Sequence, residues 1–368
     1  MHKRWRCFLS VCTARAASES ETRAPGLRHA ADSATFRMPQ WCTRQVFRCF
    51  KWLERAGDRL TGAAGPVFVT LAIVLLSLGV FCFFEVIQPS LAWPWVTTPV
   101  CLLIALNLFA HYYYVCTISP GFVNEPPRAA GTGLLWARRR REAGSGPRTG
   151  VRWSEDMHVT RAETSKCRKC GEMRPERSHH CRICGRCVLK YDHHWINQCV
   201  GIYNERHFVL FMVYLVVACF FYAALGWRHI MFALGWFNDP WSYYAPPMMF
   251  MMIYILAVVL CLAVSAMAGW HLYMVASGET SVETQDHEQY RKIAGQRGET
   301  FINSYDLGWR KNLELFFNVG PSGYPLYTLL VPLRIEPYTD GRAWARRAGF
   351  EQHLGVRPGE ELTDEEEE

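Results

Sequence analysis

Six cysteines and four histidines lie within the 33 residues from Cys167 to Cys199. They read Cys167-x2-Cys170, then His179-His180-Cys181-x2-Cys184-x2-Cys187, then His193-His194, and finally Cys199. A C-x2-C pair suits zinc because a tight turn lets its two thiolates take neighbouring corners of one tetrahedron. The segment holds enough ligands for two closed sites of three cysteines and one histidine each. Closed four-ligand sites are structural: they fix a fold too small to build a core of its own. Such density argues against incidental buried cysteines. Spacing alone does not choose among functions, since RING, LIM and zinc-ribbon modules share this pattern.

The elements that must hold this segment are apolar. Val67 to Ile87 carries no charge except Glu85 and is long enough to span a bilayer. A second run from Trp95 to Tyr114 follows the short turn Gln88–Pro94 and ends in Tyr112, Tyr113 and Tyr114, as expected at a membrane interface. Asn107 and His111 lie inside it, and polar groups at that depth are expected to face the bundle interior. A third span is read from Phe208 to Gly226. A fourth runs from Met248 to Met274, with Ser265, Gly269 and His271 towards its end. The fold class expected is therefore an all-α polytopic membrane protein with four transmembrane helices and a small two-zinc Cys/His domain.

The loop between spans two and three is rich in Lys and Arg, including Arg138 to Arg141, whereas the first hairpin tip has none and the third-to-fourth loop has only Arg228. The positive-inside rule puts that loop and both termini in the cytosol. The cysteines agree, because metal-bound and reduced thiols suit a reducing compartment. The net charge of +7 fits an anionic membrane surface as well as a nucleic acid. A nucleic-acid-binding zinc protein would not need four spans, so no nucleic-acid partner is expected.

The domain division expected is a cytosolic N-terminal region at 1–66, a hairpin of spans at 67–114, and a cytosolic loop at 115–207 with its zinc domain at 165–204. Spans three and four come next at 208–274, then a cytosolic C-terminal region at 275–368. No secretory signal is evident, and Met38 offers an alternative start. Trp41, Phe47, Phe50, Trp52 and Leu53, interleaved with basic residues, suggest an interfacial helix. Residues 122–165 are Pro-, Gly- and Arg-rich and read as a flexible linker. The acidic run ending at Glu368 reads as a solvated terminus.

The stretch from Cys167 to His194 resembles the cysteine-rich domain of DHHC protein S-acyltransferases (palmitoyltransferases). The resemblance continues through Trp195-Ile196-Asn197-Gln198-Cys199-Val200-Gly201-Ile202-Tyr203-Asn204 and Phe208. Ser119-Pro120-Gly121 stands where the family has D-P-G, with Ser119 in place of Asp. Thr280-Ser281-Val282-Glu283 resembles T-T-x-E, and Asn303, Tyr305, Gly308 and Asn312 resemble a C-terminal N-x-Y motif. The likeness covers about 66–320.

This resemblance implies a first zinc site of Cys167, Cys170, His180 and Cys187, and a second of Cys181, Cys184, His194 and Cys199. Asp192 and His193 match the pair that orients and deprotonates the catalytic thiol. The implied function is two-step transfer of a long acyl chain from acyl-CoA, such as palmitoyl-CoA, to protein cysteines through an acyl-enzyme. The implied partners are the lipid bilayer, acyl-CoA and cysteine-containing protein substrates, in the endoplasmic reticulum or Golgi membrane. Arg174, Arg182, Arg186 and Lys190 could attract the CoA phosphates or balance the thiolates.

One departure matters most. In the family, the histidine matched by His194 is followed by Cys-Pro-Trp, and that Cys is the nucleophile; here Trp195 follows directly. Three readings are open: an active acyltransferase whose sequence has lost two codons, a catalytically inactive pseudoenzyme or membrane zinc scaffold, or Cys199 as a substitute nucleophile. The third would strip the second zinc of a ligand. The shortened His194–Cys199 interval also predicts a strained or incomplete second site. A zinc adaptor or ubiquitin-ligase-like module would need neither Asp192-His193 nor the Thr280–Glu283 and Asn303–Asn312 motifs.

Overall fold

The structure is a computed structural model describing Gly57 and residues 64–126, 128, 131, 133–137, 158–194, 197–237, 240–320 and 323–357. The aromatic-basic stretch from Trp41 to Arg55, Arg138–Arg141, Trp195 and the acidic tail lie outside the described residues. The chain divides into two units, Met1–Thr61 and Gly62–Glu368, and the second holds the long helices, the Cys/His segment and the C-terminal region.

Among the described residues, four helices are long and apolar enough to cross a membrane: α1 (Ala64–Ser90), α2 (Pro94–Thr117), α3 (Glu205–Ala233) and α4 (Pro247–Ala276). At 1.5 Å rise per residue, the 24 residues of α2 reach about 36 Å, more than a hydrocarbon core needs. Each helix runs a few residues beyond the span expected from hydropathy, because hydrogen bonding continues into the polar ends. Prolines at the first turns of α2 and α4 mark their starts, where a missing N–H costs nothing. Large apolar side chains, among them Leu71, Leu102, Leu106, Ile255, Val259 and Leu262, point outwards from these helices. Water would penalise that surface and lipid would not. The molecule is an integral membrane protein.

The polar residues of the second span do face inwards, as expected. Asn107 and His111 are fully buried. Asn107 donates to the Leu330 carbonyl at 2.7 Å, and His111 Nδ1 lies 3.0 Å from His207 Nδ1 of α3.

The Cys/His segment folds as three two-stranded antiparallel ribbons: β2 (Thr164–Lys166) with β3 (Met173–Pro175), β4 (His179–Cys181) with β5 (Arg186–Val188), and β6 (His193–His194) with β7 (Cys199–Val200). A fourth ribbon joins β1 (His158–Arg161) to β8 (Ala343–Arg346) of the C-terminal region. The linker expected over 122–165 is thus ordered at both ends: Phe122 bridges Val188, Trp136 bridges Arg334, and 158–161 is a strand. Composition hid this, since each of these pairings is made with a partner distant in sequence.

The domain sits against one end of the helix bundle. Gln198 donates to the carbonyls of Val115 and Ile118 at the end of α2, the latter at 2.8 Å. Val115, Val200, Phe208, Met212, Ala268 and Phe316 form the apolar cluster joining domain, helices and C-terminal region.

Candidate functional site

Two groups of four ligands assemble from the ribbons. Cys167, Cys170, His180 and Cys187 have ligand atoms within 4.8 Å of one another, and so do Cys181, Cys184, His194 and Cys199. In the first, Cys170 Sγ and Cys187 Sγ are 3.4 Å apart and His180 Nδ1 lies 3.7 Å from Cys167 Sγ. In the second, Cys184 Sγ and Cys199 Sγ are 3.2 Å apart, and His194 Nδ1 lies 3.5 and 3.4 Å from those two sulfurs. Metal–ligand bonds of roughly 2.0–2.3 Å put tetrahedral ligands about 3.4–3.8 Å apart, so both groups fit one metal ion each.

This corrects the expectation that the second site would be incomplete. His194 and Cys199 face each other directly in the β6–β7 register, so the interval between them closes as a hairpin. Asn197, just before Gln198 and Cys199, holds the left-handed region (φ 56°), a conformation Asn tolerates. The four ligand atoms of the second group converge despite the shortened interval. His179, between the two groups, packs instead on Tyr191.

The Asp192–His193 pair lies at the entry to β6. Asp192 Oδ2 is 2.8 Å from His193 Nδ1, and Oδ1 accepts from the backbone N–H of Ser281 at 2.7 Å. The Ser281 hydroxyl returns to the Asp192 carbonyl at 2.7 Å. Burial works against the charge on Asp192, but the hydrogen bonds from His193 and Ser281, with the His271 ring nearby, hold its carboxyl well below the usual carboxylate range. The carboxylate is therefore ionised at neutral pH and fixes the His193 ring through Nδ1. That leaves Nε2 as the atom able to take a proton, the arrangement of a base with its orienter.

Ser281 is placed by helix α5 (Ser281–Gln296). Thr280 and Glu283 form a capping box at its start, Thr280 Oγ1 accepting from the Glu283 N–H at 3.3 Å and Glu283 from the Thr280 N–H at 2.9 Å. Glu283 also takes both arms of Arg177 at 2.6 and 2.7 Å, tying this helix to the turn between β3 and β4. Burial opposes the charge on Glu283, yet the Arg177 guanidinium holds its carboxyl down to about 2. Arg177 lies over Tyr305, 4.2 Å from its ring centre, while Asn303 and Asn312 donate to the last carbonyls of the α4 end, Ser277 and Ala276. Two of the short motifs singled out in the sequence, Thr280–Glu283 and Asn303–Asn312, thus converge behind Asp192.

Ser119-Pro120-Gly121 docks on the opposite side. Tyr203 and Leu189 donate backbone N–H groups to Pro120 and Gly121 at 3.3 and 2.9 Å. Gly121 holds φ +97° with the Tyr203 ring 2.7 Å from where a Cβ would stand, so glycine is required.

Of the basic residues considered for CoA phosphates, Lys190 is buried and bonded to Glu205 at 2.6 Å, and Arg186 donates to Asn124 at 2.7 Å. Lys190 is thus a structural cation; it could not be told from a surface one by sequence. Arg177 was missed as an organising residue, and its only signal was its place beside the ligands. His271 was seen only as a polar residue late in a span. The structure brings its Nδ1 to 3.6 Å from Asp192 Oδ2.

Between His194 and Trp195 the chain offers no side chain that could carry a nucleophilic thiol. Cys199 is fully buried, and its sulfur lies among the ligand atoms of the second group.

A family model described as DHHC palmitoyltransferase matches residues 160–288. Palmitoyltransferase ZDHHC16A of Danio rerio is 25% identical over 334 residues, covering 76% of this chain and 78% of that protein. Palmitoyltransferase ZDHHC16 of Mus musculus is 27% identical over 336 residues, covering 85% and 79%. Probable protein S-acyltransferase 15 of Arabidopsis thaliana is 34% identical over 165 residues, covering 44% and 62%. With the four spans, the paired Cys/His groups and the Asp192–His193 pair in place, these likenesses support membership of the chain in the DHHC-type protein S-acyltransferase family.

Proposed function

We propose that this chain is built for protein-cysteine S-palmitoyl transfer from acyl-CoA through an acyl-enzyme, and that as written it lacks the thiol to complete the first step. The observation that carries this reading is the intact Asp192–His193–Ser281 array beside a missing Cys-Pro. In that step His193 would take the proton of a thiol placed after His194, and the thiolate would attack the thioester carbonyl of acyl-CoA. CoA would leave as its thiol, taking up a proton. A protein cysteine would then attack the acyl-enzyme and release the first thiol.

Two zinc ions held by Cys167, Cys170, His180 and Cys187 and by Cys181, Cys184, His194 and Cys199 would fix the domain at the cytosolic face, where an apolar chain between the spans meets a soluble thiol. The missing nucleophile favours a second reading for the sequence as it stands, a zinc-stabilised membrane scaffold without turnover. Incubation of the purified chain with labelled palmitoyl-CoA tests both. No hydroxylamine-sensitive label is expected in residues 158–208. Label at Cys199 would contradict the assignment of that residue as a metal ligand.

A further inference from the structure

We propose that Asp192, His193 and His271 form a third metal site, distinct from the two cysteine-rich groups, that binds a divalent first-row transition ion such as Zn²⁺ through one carboxylate and two imidazoles. Such an ion lies outside acyl transfer and does not depend on it. The ligand atoms of the three residues lie within 4.8 Å of one another. Asp192 Oδ2 is central, 2.8 Å from His193 Nδ1 and 3.6 Å from His271 Nδ1. Bonds of about 2.0–2.2 Å need ligand separations near 3.4 Å, which these side chains reach by small rotations.

The surroundings are those of a supported site. Asp192 is oriented from behind by the Ser281 N–H, the kind of outer contact that fixes a ligating carboxylate. Phe208 packs edge-on against both imidazoles, at 4.9 Å from His193 and 5.3 Å from His271, walling the cluster on its apolar side. Asp192, Phe208 and His271 together line a cavity of about 50 Å³, room for a few waters. A three-ligand zinc site needs such space for its fourth, solvent-derived ligand. The two cations lining that cavity are each bonded to a carboxylate, Arg177 to Glu283 and Lys190 to Glu205, so neither opposes an incoming cation unscreened.

An ion here would tie the ribbon domain to helix α4 through His271. It would also occupy the base His193, so metal at this site and proton transfer by His193 would exclude each other.

Metal content of the full chain in detergent, equilibrated with Zn²⁺ and then freed of excess, tests this directly. Three ions per chain are expected, falling to two in His271→Ala and in Asp192→Asn. With Co²⁺, the two cysteine groups give thiolate-to-metal charge-transfer bands, and the third equivalent should add ligand-field absorption without such bands. Binding of that equivalent should weaken in His271→Ala by more than the roughly 100-fold that outer-shell losses reach. His271→Cys should keep the third ion and add one thiolate band, which also reports that the variant folds. A wild-type chain saturating at two ions, or a third ion that survives both His271→Ala and Asp192→Asn with the thiolate bands intact, would overturn the proposal.

Discussion

At the scale of single residues, the site rests on side chains whose charges are bound in pairs away from water. Arg177 and Glu283 are both buried, and their two-armed contact holds α5 where Ser281 can reach Asp192. A buried ion pair is weak proof of net stabilisation, but removing one partner leaves the other charged and alone. Glu283→Gln is therefore expected to lower unfolding free energy by about 3–5 kcal/mol, read as earlier thermal unfolding in detergent. A variant unfolding with wild type would show the pair to be idle. The pairing itself was not legible: Glu283 stood out only through its T-x-x-E setting, and Arg177 not at all. Their separation of 106 positions gives a linear reading no means of joining them.

At the scale of elements, docking depends on close backbone approach. A Cβ on Gly201 would stand 2.8 Å from the Pro120 carbonyl oxygen, 2.8 Å from a Val188 side-chain carbon and 2.9 Å from the Leu189 carbonyl oxygen. Backbone carbonyls cannot turn aside as a flexible side chain can. Gly201→Ala is thus expected to part the Ser119-Pro120-Gly121 segment from the domain at a cost of about 1–3 kcal/mol, seen as faster amide exchange at Leu189 and Tyr203. Unchanged exchange there would contradict this packing. The spans themselves were legible because an apolar run over twenty residues long has few other folds. The ribbons between 158 and 200 were legible only as ligand spacing. Strands of two to four residues are too short to carry a hydrophobic alternation that can be read. The β1–β8 pairing lay hidden in a segment whose composition spoke for a linker.

At the scale of the whole molecule, the two ligand groups interlock the segment, since β4 gives His180 to one and Cys181 to the other, and Cys181 and Cys184 of the second precede Cys187 of the first. Their ligands must be deprotonated to bind, so acid releases metal. Glu283 titrates differently. Its folded value is depressed to about 2 from an ordinary 4.5, so its stabilisation is complete above the ordinary value, declines as pH falls below it, and is lost once pH has passed through about 2. Acidification should therefore unfold the Cys/His segment first, with zinc appearing in a chelator-dye assay before the Arg177–Glu283 pair breaks. Strong chelation at neutral pH should have the same local effect, leaving the helical far-UV signal of the spans largely intact. Simultaneous loss of helix signal and metal would contradict an independent helical frame.

The central claim is that the frame for acyl transfer is present and only its thiol is missing. Inserting Cys-Pro between His194 and Trp195, and incubating that chain beside the unaltered one with labelled palmitoyl-CoA, measures this most directly. Hydroxylamine-sensitive label is expected on the inserted cysteine and none on the unaltered chain. Combining the insertion with His193→Ala should slow labelling by roughly 10²–10⁴-fold. An inserted chain that binds its metals and yet takes no label, or takes it equally fast without His193, would contradict the claim.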